Sequence, residues 1–369
     1  MMCNSSSTSS KSEENRNHPS SSNNNNNNKK KKKNRTFLHY DTLPSTQDEI
    51  RQLLLSSSTT TSTTTTSDDD DHHKQYIAVT TSTQTNGRGT SNRNWISSKG
   101  NTFLSFTIPL DDIQTTKPSI SSSSSSSSSS SIPITLLPLQ IGILIAKRIH
   151  DIIIHYNNKE NTTTLPSSSS TVNVKWPNDV LINNKKVAGV LIESFSSSSS
   201  STSTSTSSKR NEYYLIVGIG INYKYAPIIE QSGLERGRES TCIYDHMIGM
   251  TNNNNNNNNN NSDDDNNSDD DDDDKAKELG ISIANDVWDW IESLHSSTNY
   301  NDSVSSIDAA DTIITNFEYW TNDFGKELII RDSPNNEVVI PIGIEKDGRL
   351  RVKGKYSGEE RLLCVDYLL

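Results

Sequence analysis

Lys175-Trp176-Pro177-Asn178-Asp179 and Lys186-Val187-Ala188-Gly189 bring two lysines, an asparagine and an aspartate close together in the chain. Those types suit triphosphate chemistry: an aspartate can hold Mg2+, and a lysine can neutralise charge as pyrophosphate departs. A charged edge strand has the same composition, and composition alone favours that alternative. Gly87-Arg88-Gly89-Thr90-Ser91-Asn92-Arg93-Asn94-Trp95 is a second such segment. Its glycines let backbone amides approach an anion, its arginines supply charge-assisted donors, and its indole offers a flat surface to an aromatic ring. Taken alone, it reads as an ordinary surface turn. Gly218-Ile219-Gly220-Ile221-Asn222 follows a strand-like run but lacks the helix and acidic residue of a dinucleotide site.

The elements that position these residues follow from apolar periodicity. Ser45-Thr46-Gln47 precedes a helical pattern through Ile50, Leu53 and Leu54, with Ser45 or Thr46 as N-cap. Tyr76 to Thr80 and Thr102 to Ile108 read as strands on either side of the Gly-Arg loop. Leu136, Leu139, Ile143, Ala146, Ile149 and Ile153 recur at helical spacing, as do Leu279, Ile283, Val287, Trp290, Ile291 and Leu294. Val172 to Ile182 and Val187 to Ile192 flank Asn183-Asn184, a hairpin signal, and Tyr213 to Ile221 reads as a further strand. After Trp320 the pattern shortens to Glu327–Arg331, Glu337–Ile344, Arg349–Val352 and Arg361–Tyr367, with a tight turn at Asp347-Gly348. The order predicts an α/β (α+β) catalytic domain over 37–320 and a small β-barrel over 321–369.

Only 30% of the 369 residues are hydrophobic, and homopolymer tracts carry the excess polarity. Residues 1–36 read as a low-complexity tail, and 56–73, 114–131, 157–170, 196–210 and 251–275 as solvated insertions, because such sequence buries too little apolar surface to offset the entropy of ordering it. What remains is about 240 residues, enough for one substantial core and a small second domain. The net charge is −11, and setting aside thirteen tract aspartates and the five lysines of Lys29 to Lys33 leaves roughly −3, which argues against a general nucleic-acid surface. Lys29 to Lys33 with Arg35 could serve import or polyanion binding, but beside poly-Asn a solvated tail is the stronger expectation. Cys3, Cys242 and Cys364 have no metal-ligand spacing and fit a reduced compartment. With no membrane-length apolar run and no secretory start, the expected location is cytoplasmic.

Together the motifs resemble the biotin protein ligase family, also called holocarboxylase synthetases. Ser45-Thr46-Gln47 is similar to that family's Ser-Thr-Asn element, Gln84 with Gly87 to Trp95 to its Gly-Arg-Gly loop, and Lys175 to Asp179 to its Lys-Trp-Pro-Asn-Asp signature. Lys186 to Gly189 and Gly218 to Asn222 complete the set in the family's order. The resemblance implies a class II synthetase-like mixed sheet flanked by helices, an SH3-like C-terminal barrel, and ATP-dependent conversion of biotin to biotinyl-5'-AMP. The biotinyl group would then pass to a lysine of a biotin carboxyl carrier domain, in carboxylases of the acetyl-CoA, propionyl-CoA or pyruvate type.

The resemblance also implies roles at matching positions. Ser45, Thr46 and Gln84 would bind the ureido part of biotin, with Gly87 in the loop and the backbones of Gly189 and Gly218 along its tail. Arg88, Arg93 and Lys186 would hold carboxylate and phosphate oxygens. Trp95 would stack on adenine, Lys175, Asn178 and Asn222 would position ATP, and Asp179 would serve Mg2+ and the phosphates and act as a candidate base. The logic is coherent, since a carboxylate must become a mixed anhydride before an amine can attack it, and cations must bring two anions together. Two positions depart from the pattern: Thr90 stands where many members have a second loop arginine, and Asn92 replaces a frequent glycine. The polar stretch before Phe37 is too short and unpatterned for a winged-helix DNA-binding domain, so no DNA binding is expected. The rival readings are a lipoate or octanoate ligase and a non-catalytic scaffold derived from the same fold. Lys175, Lys186 and Asp179 weigh against the scaffold.

Overall fold

The computed structural model describes residues 34–57, 74–90, 93–114, 132–159, 170–197, 212–229, 239–247, 268–296, 308–330 and 337–364. Tyr76–Gln84 (β2) and Thr102–Pro109 (β3) are buried along almost their whole length, as expected of central strands. Arg35–Leu43 (β1) lies beside β2 in parallel, with Thr46–Ser57 (α1) between them in sequence. Then come Leu137–Lys159 (α2), Val172–Lys175 (β4), Asp179–Ile182 (β5), Lys185–Ser197 (β6) and Glu212–Ile221 (β7). The seven strands run β1-β2-β3-β7-β6-β5-β4, and every neighbouring pair after β1/β2 is antiparallel.

Period-two alternation gives this sheet two faces. Leu104, Phe106, Val190, Val217 and Ile219 join the core beneath α2 and Ser268–Ser296 (α3), where Trp288 is fully buried and meets Tyr76 and Phe106 edge-on. Each such side chain removed from water contributes about 1.5–3 kcal/mol. On the opposite face, Ile77, Val79, Tyr214 and Ile216 pack under Ile50 and Leu54 of α1.

Ala309–Trp320 (α4) follows, capped by Asp308, whose carboxylate accepts from the Ala310 amide at 3.2 Å. The chain then forms Leu328–Ile329 (β8), Val338–Ile344 (β9), Leu350–Gly354 (β10) and Glu360–Leu363 (β11), an antiparallel sheet in the order β11-β10-β9-β8. This is the small C-terminal β module expected from sequence. It joins the main sheet through Trp176, which is 3% exposed and whose Nε1 donates to the Gly348 carbonyl at 2.9 Å.

Three sequence expectations change. Val172 to Ile182 is not one strand, because Pro177 interrupts it, and Trp176 to Asn178 form the turn between β4 and β5. β1 and α4 had no counterpart in the periodicity reading. The acidic run expected in a solvated insertion is in part the start of α3: Asp272 pairs with Lys224 at 2.9 Å, with both side chains largely buried, and Asp273 accepts from Ser82 at 2.5 Å. Of the other stretches, 35–36 open β1, 56–57 close α1, 157–159 close α2 and 196–197 close β6, and 34, 114 and 170 are also described, whereas the remainder, including Cys3 and Lys29 to Lys33, lies outside the described residues.

Candidate active site

Under the body of α1, β7 presents Tyr214 and Ile216, and beyond the helix N-terminus the same face continues as Gly218 and Gly220. Gly218 lies between Ser105 of β3 and Leu191 of β6, and Gly220 lies between Phe103 and Gly189. The sheet therefore carries a strip without side chains, and above it opens a cavity. Of the residues singled out from sequence, Ser45, Thr46, Gln84, Arg88, Trp95, Asn178, Lys186, Gly189 and Gly218 line it. They come from α1, β2, the 85–101 loop, the β4–β5 turn, β6 and β7, so the fold assembles motifs far apart in the chain.

One end is polar. The Thr46 amide and hydroxyl both donate to Gln84 Oε1, at 2.9 and 3.3 Å, and the Thr46 and Ser105 hydroxyls are 2.8 Å apart. Gln47, 3% exposed, lays its carboxamide against Gly218, where a Cβ would come within 2.8 Å of the glutamine Cδ. Only a glycine leaves that room.

The other end is charged. Lys186 Nζ pairs with Asp179 Oδ1 at 2.6 Å and sits 5.3 Å from the centre of the Trp95 ring. The indole covers Gly220 and Gly189, where added Cβ atoms would come within 2.3 and 3.1 Å of it. The backbone at Lys186 is held by segment 239–241, with Lys186 N donating to the Glu239 carbonyl at 2.8 Å and Thr241 N to the Lys186 carbonyl at 3.0 Å. Behind this clip, His246 accepts or donates to Thr241 Oγ1 at 2.9 Å, and burial holds its pKa below the ordinary histidine value. Asn178 Nδ2 donates to the Val190 carbonyl at 2.8 Å, which fixes the turn over β6.

The 85–101 loop closes on itself. Trp95 N donates to the Gly87 carbonyl at 2.9 Å, and Gly89 N to the Arg93 carbonyl at 2.7 Å. A Cβ on Gly87 would lie 2.7 Å from the Trp95 carbonyl oxygen, so that glycine admits the closure rather than lining the cavity. The Arg88 guanidinium reaches Asp48 at 2.9 Å and Glu193 at 3.3 Å. Its Nε and the Trp95 Nε1 are buried donors without an acceptor among the described residues. Two such donors at one cavity mark a place where a ligand acceptor atom would relieve a desolvation cost.

Several assigned residues lie off the cavity. Arg93 is exposed and folds back on Thr90, donating to its carbonyl at 3.1 Å and its hydroxyl at 2.6 Å. Lys175 is 4% exposed on β4, paired in register with Asp179. Asn222 is buried, donating to the Thr241 carbonyl at 3.0 Å while its Oδ1 has no partner among the described residues. Asp179 touches the site through Lys186. Asn92 lies outside the described residues. Sequence reasoning left unassigned Ser105 and the 239–241 clip, and gave Gln47 and Gly220 no contact beyond their place in the motifs. The i, i+2 spacing of Gly218 and Gly220 carried a signal for the floor, since both must share one face. Nothing local marks Ser105 or the clip.

Among the described residues no cluster of three or more His, Cys, Asp or Glu side chains could hold a metal ion, and no helix is long and apolar enough to cross a membrane.

Comparison with known proteins agrees with the motif reading. Residues 55–208 match the model of the Biotin/lipoate A/B protein ligase family. Among curated proteins none matches the chain. Similar solved structures include a biotin protein ligase from Aquifex aeolicus, at 15% identity over 91% of this chain and 98% of that one, with a TM-score of 0.49. The Aquifex aeolicus enzyme in complex with biotin and ATP aligns at 18% identity over 89% and 98%, with a TM-score of 0.47. The Leishmania major biotin protein ligase in complex with biotinyl-5-AMP aligns at 20% identity over 90% and 99%, with a TM-score of 0.42.

Proposed function

We propose, for a chain that belongs to the Biotin/lipoate A/B protein ligase family, that it activates biotin with ATP and transfers the biotinyl group to a lysine of a carboxyl carrier domain. The observation that carries this reading is the cavity: a polar end at Thr46, Gln84 and Ser105, a glycine floor, and a cationic end at Lys186. That sequence of environments complements a heteroatom ring, an aliphatic tail and a carboxylate.

In the first step a carboxylate oxygen attacks the α-phosphorus of ATP. The bond to the β-phosphate oxygen breaks, pyrophosphate leaves, and a mixed anhydride with AMP forms. Two anions must be brought together for this, and Lys186, placed by Asp179 at 2.6 Å, is the cation beside the site. Arg88 can join it by exchanging Asp48 and Glu193 for the ligand, and its buried Nε supplies a further donor. Mg2+, when bound, would neutralise phosphate charge. Asp179 is a carboxylate placed to hold it, and one carboxylate suits an ion that arrives with the nucleotide. In the second step the free amine of the acceptor lysine attacks the acyl carbon and AMP leaves. That amine must lose a proton near neutral pH, and Asp179 is the proposed acceptor.

The family model also covers lipoate ligases, so the second reading is lipoate or octanoate transfer. The Lys-Trp-Pro-Asn-Asp turn and the polar cavity end favour biotin. The free thiols Cys242 and Cys364 suit the cytosol as the place of reaction. ATP–pyrophosphate exchange separates the readings: exchange that depends on biotin and exceeds that with lipoate is expected. Exchange stimulated only by lipoate, or by neither acid, contradicts the proposal.

A further inference from the structure

We infer that His246 is a positioning residue for acid activation, its ring holding the segment that fixes the backbone of Lys186, an inference that rests on the function proposed above. The need for such a residue follows from where the sheet ends. The last β6–β7 pair is Ala188 with Ile221, so at Lys186 strand β7 no longer flanks β6. On the other side the register of β5 with β6 shifts between Val180 and Leu181, and Leu181 is the partner of Lys186. Where β7 has ended, Lys186 is instead held by a parallel bridge to Ser240, through the Glu239 carbonyl and the Thr241 amide. A lysine at the end of a ladder keeps its aim only as well as this outside segment keeps its place.

The segment is fastened on two sides. Asn222 Nδ2 donates to the Thr241 carbonyl at 3.0 Å, and Ile243 N donates to the Asn222 carbonyl at 2.9 Å. The half-buried His246 makes the other attachment, with Nε2 2.9 Å from Thr241 Oγ1 and Nδ1 3.1 Å from Ser170 Oγ. Ser170 stands two residues before β4, whose last residue, Lys175, pairs with Asp179. One imidazole thus ties the lysine side of the Lys186–Asp179 pair to the strand that leads to its aspartate. A neutral imidazole has one donor and one acceptor nitrogen, and a hydroxyl can be either, so both bonds form in either tautomer. A protonated ring carries a charge and two donors. Burial opposes that charge and holds the pKa below the ordinary histidine value, against Asp245 of its own turn, which favours the charge. Lys185 of β6, paired with Glu239 at 3.2 Å, opposes it too, and among the described residues these are the charged groups that face the ring. The ring is therefore neutral near neutral pH and charges only on acidification, so any loosening of the segment lies on the acid side.

The test uses the full chain and reads biotinyl-adenylate formation in a single turnover at pH about 8 and about 5.5, on either side of the histidine range. His246→Ala removes both bonds and is expected to slow formation at least ten-fold at the higher pH. Added to Lys186→Ala, it should cost less than a further two-fold, because it acts through that lysine. His246→Gln can bridge the same two hydroxyls with its amide and does not titrate. It should recover the rate to within three-fold of wild type at the higher pH, and its ratio to wild type should rise at least three-fold at the lower. A His246→Ala rate within two-fold of wild type, additive losses in the double variant, or a His246→Gln ratio equal at both pH values overturns the inference while leaving the proposed function intact. Wild-type protein that forms no biotinyl-adenylate overturns both. Should His246→Ala fail to fold, Thr241→Val takes its place, since it removes the bonded hydroxyl and keeps the side-chain shape. The same ten-fold loss is expected, and a rate within two-fold of wild type overturns the inference.

Discussion

Lys186 is held by three neighbours: Asp179 at 2.6 Å, the Trp95 ring at 5.3 Å, and the 239–241 segment that fixes its backbone. An amine so held can meet developing charge without reorganising, which is where positioned electrostatic groups gain most. Lys186→Ala is expected to raise the barrier to acyl-adenylate formation by about 2 kcal/mol or more, read in a single turnover with rapid quench. Near-normal formation by the folded variant would remove Lys186 from the first step. At this scale much of the site is legible in the sequence, because Lys186, Asn178, Arg88, Trp95 and the Thr46–Gln84 pair belong to dense motifs. Gln47 stands inside one of those motifs, but its placement rests on the empty space over Gly218, a residue more than 170 positions away. The contact of Thr90 with Arg93 gives the departure from an arginine-rich loop a structural consequence: the threonine ties Arg93 back on the loop.

Among the elements, α3 departs furthest from its sequence reading. Poly-aspartate predicts a solvated tract, yet the run from Asp271 onward is helical and its charges are used. Asp272 reaches Lys224, Asp271 and Asp274 reach Lys275 and Lys277, and Asp273 reaches Ser82. The physical reason is placement: acidic residues at a helix start favour the macrodipole, and here they also meet lysines one turn on. Composition alone could not show that Lys224 lies opposite. A chain lacking 251–267 is expected to keep kcat/KM for biotin within a few-fold, since shortening a connection changes closure entropy only slowly. A chain lacking 251–274 leaves Lys224 without Asp272 and is expected to lose about 3 kcal/mol of stability, seen as a lower Tm. Equal melting of the two deletions would show that the acidic turns of α3 contribute nothing. The missed elements have similar explanations. β1 is a half-exposed edge strand with little alternation, and α4 offers only Ala310, Ile313 and Phe317 as a buried stripe. The break at Pro177, by contrast, was available to a reader of the sequence.

For the molecule as a whole, the sheet order and the C-terminal module serve one geometry. β7 and β6 supply the floor, α1 brings the polar end, and the β4–β5 turn brings Asn178 and Asp179 to the cationic end. Trp176, buried in that turn, bonds the Gly348 carbonyl and so ties the turn to the small sheet. The mixed α/β architecture and the separate β module follow from periodicity, whereas strand order does not, because it rests on pairings between segments separated by long low-complexity stretches. The central claim is that this assembly joins biotin to protein, and intact-mass measurement of a biotin carboxyl carrier domain tests it most directly. After incubation with the chain, ATP, Mg2+ and biotin, the carrier domain should gain the mass of one biotinyl group at its acceptor lysine, and gain nothing when ATP is omitted. An unchanged mass in the complete reaction, or a gain only when lipoate replaces biotin, would contradict the account.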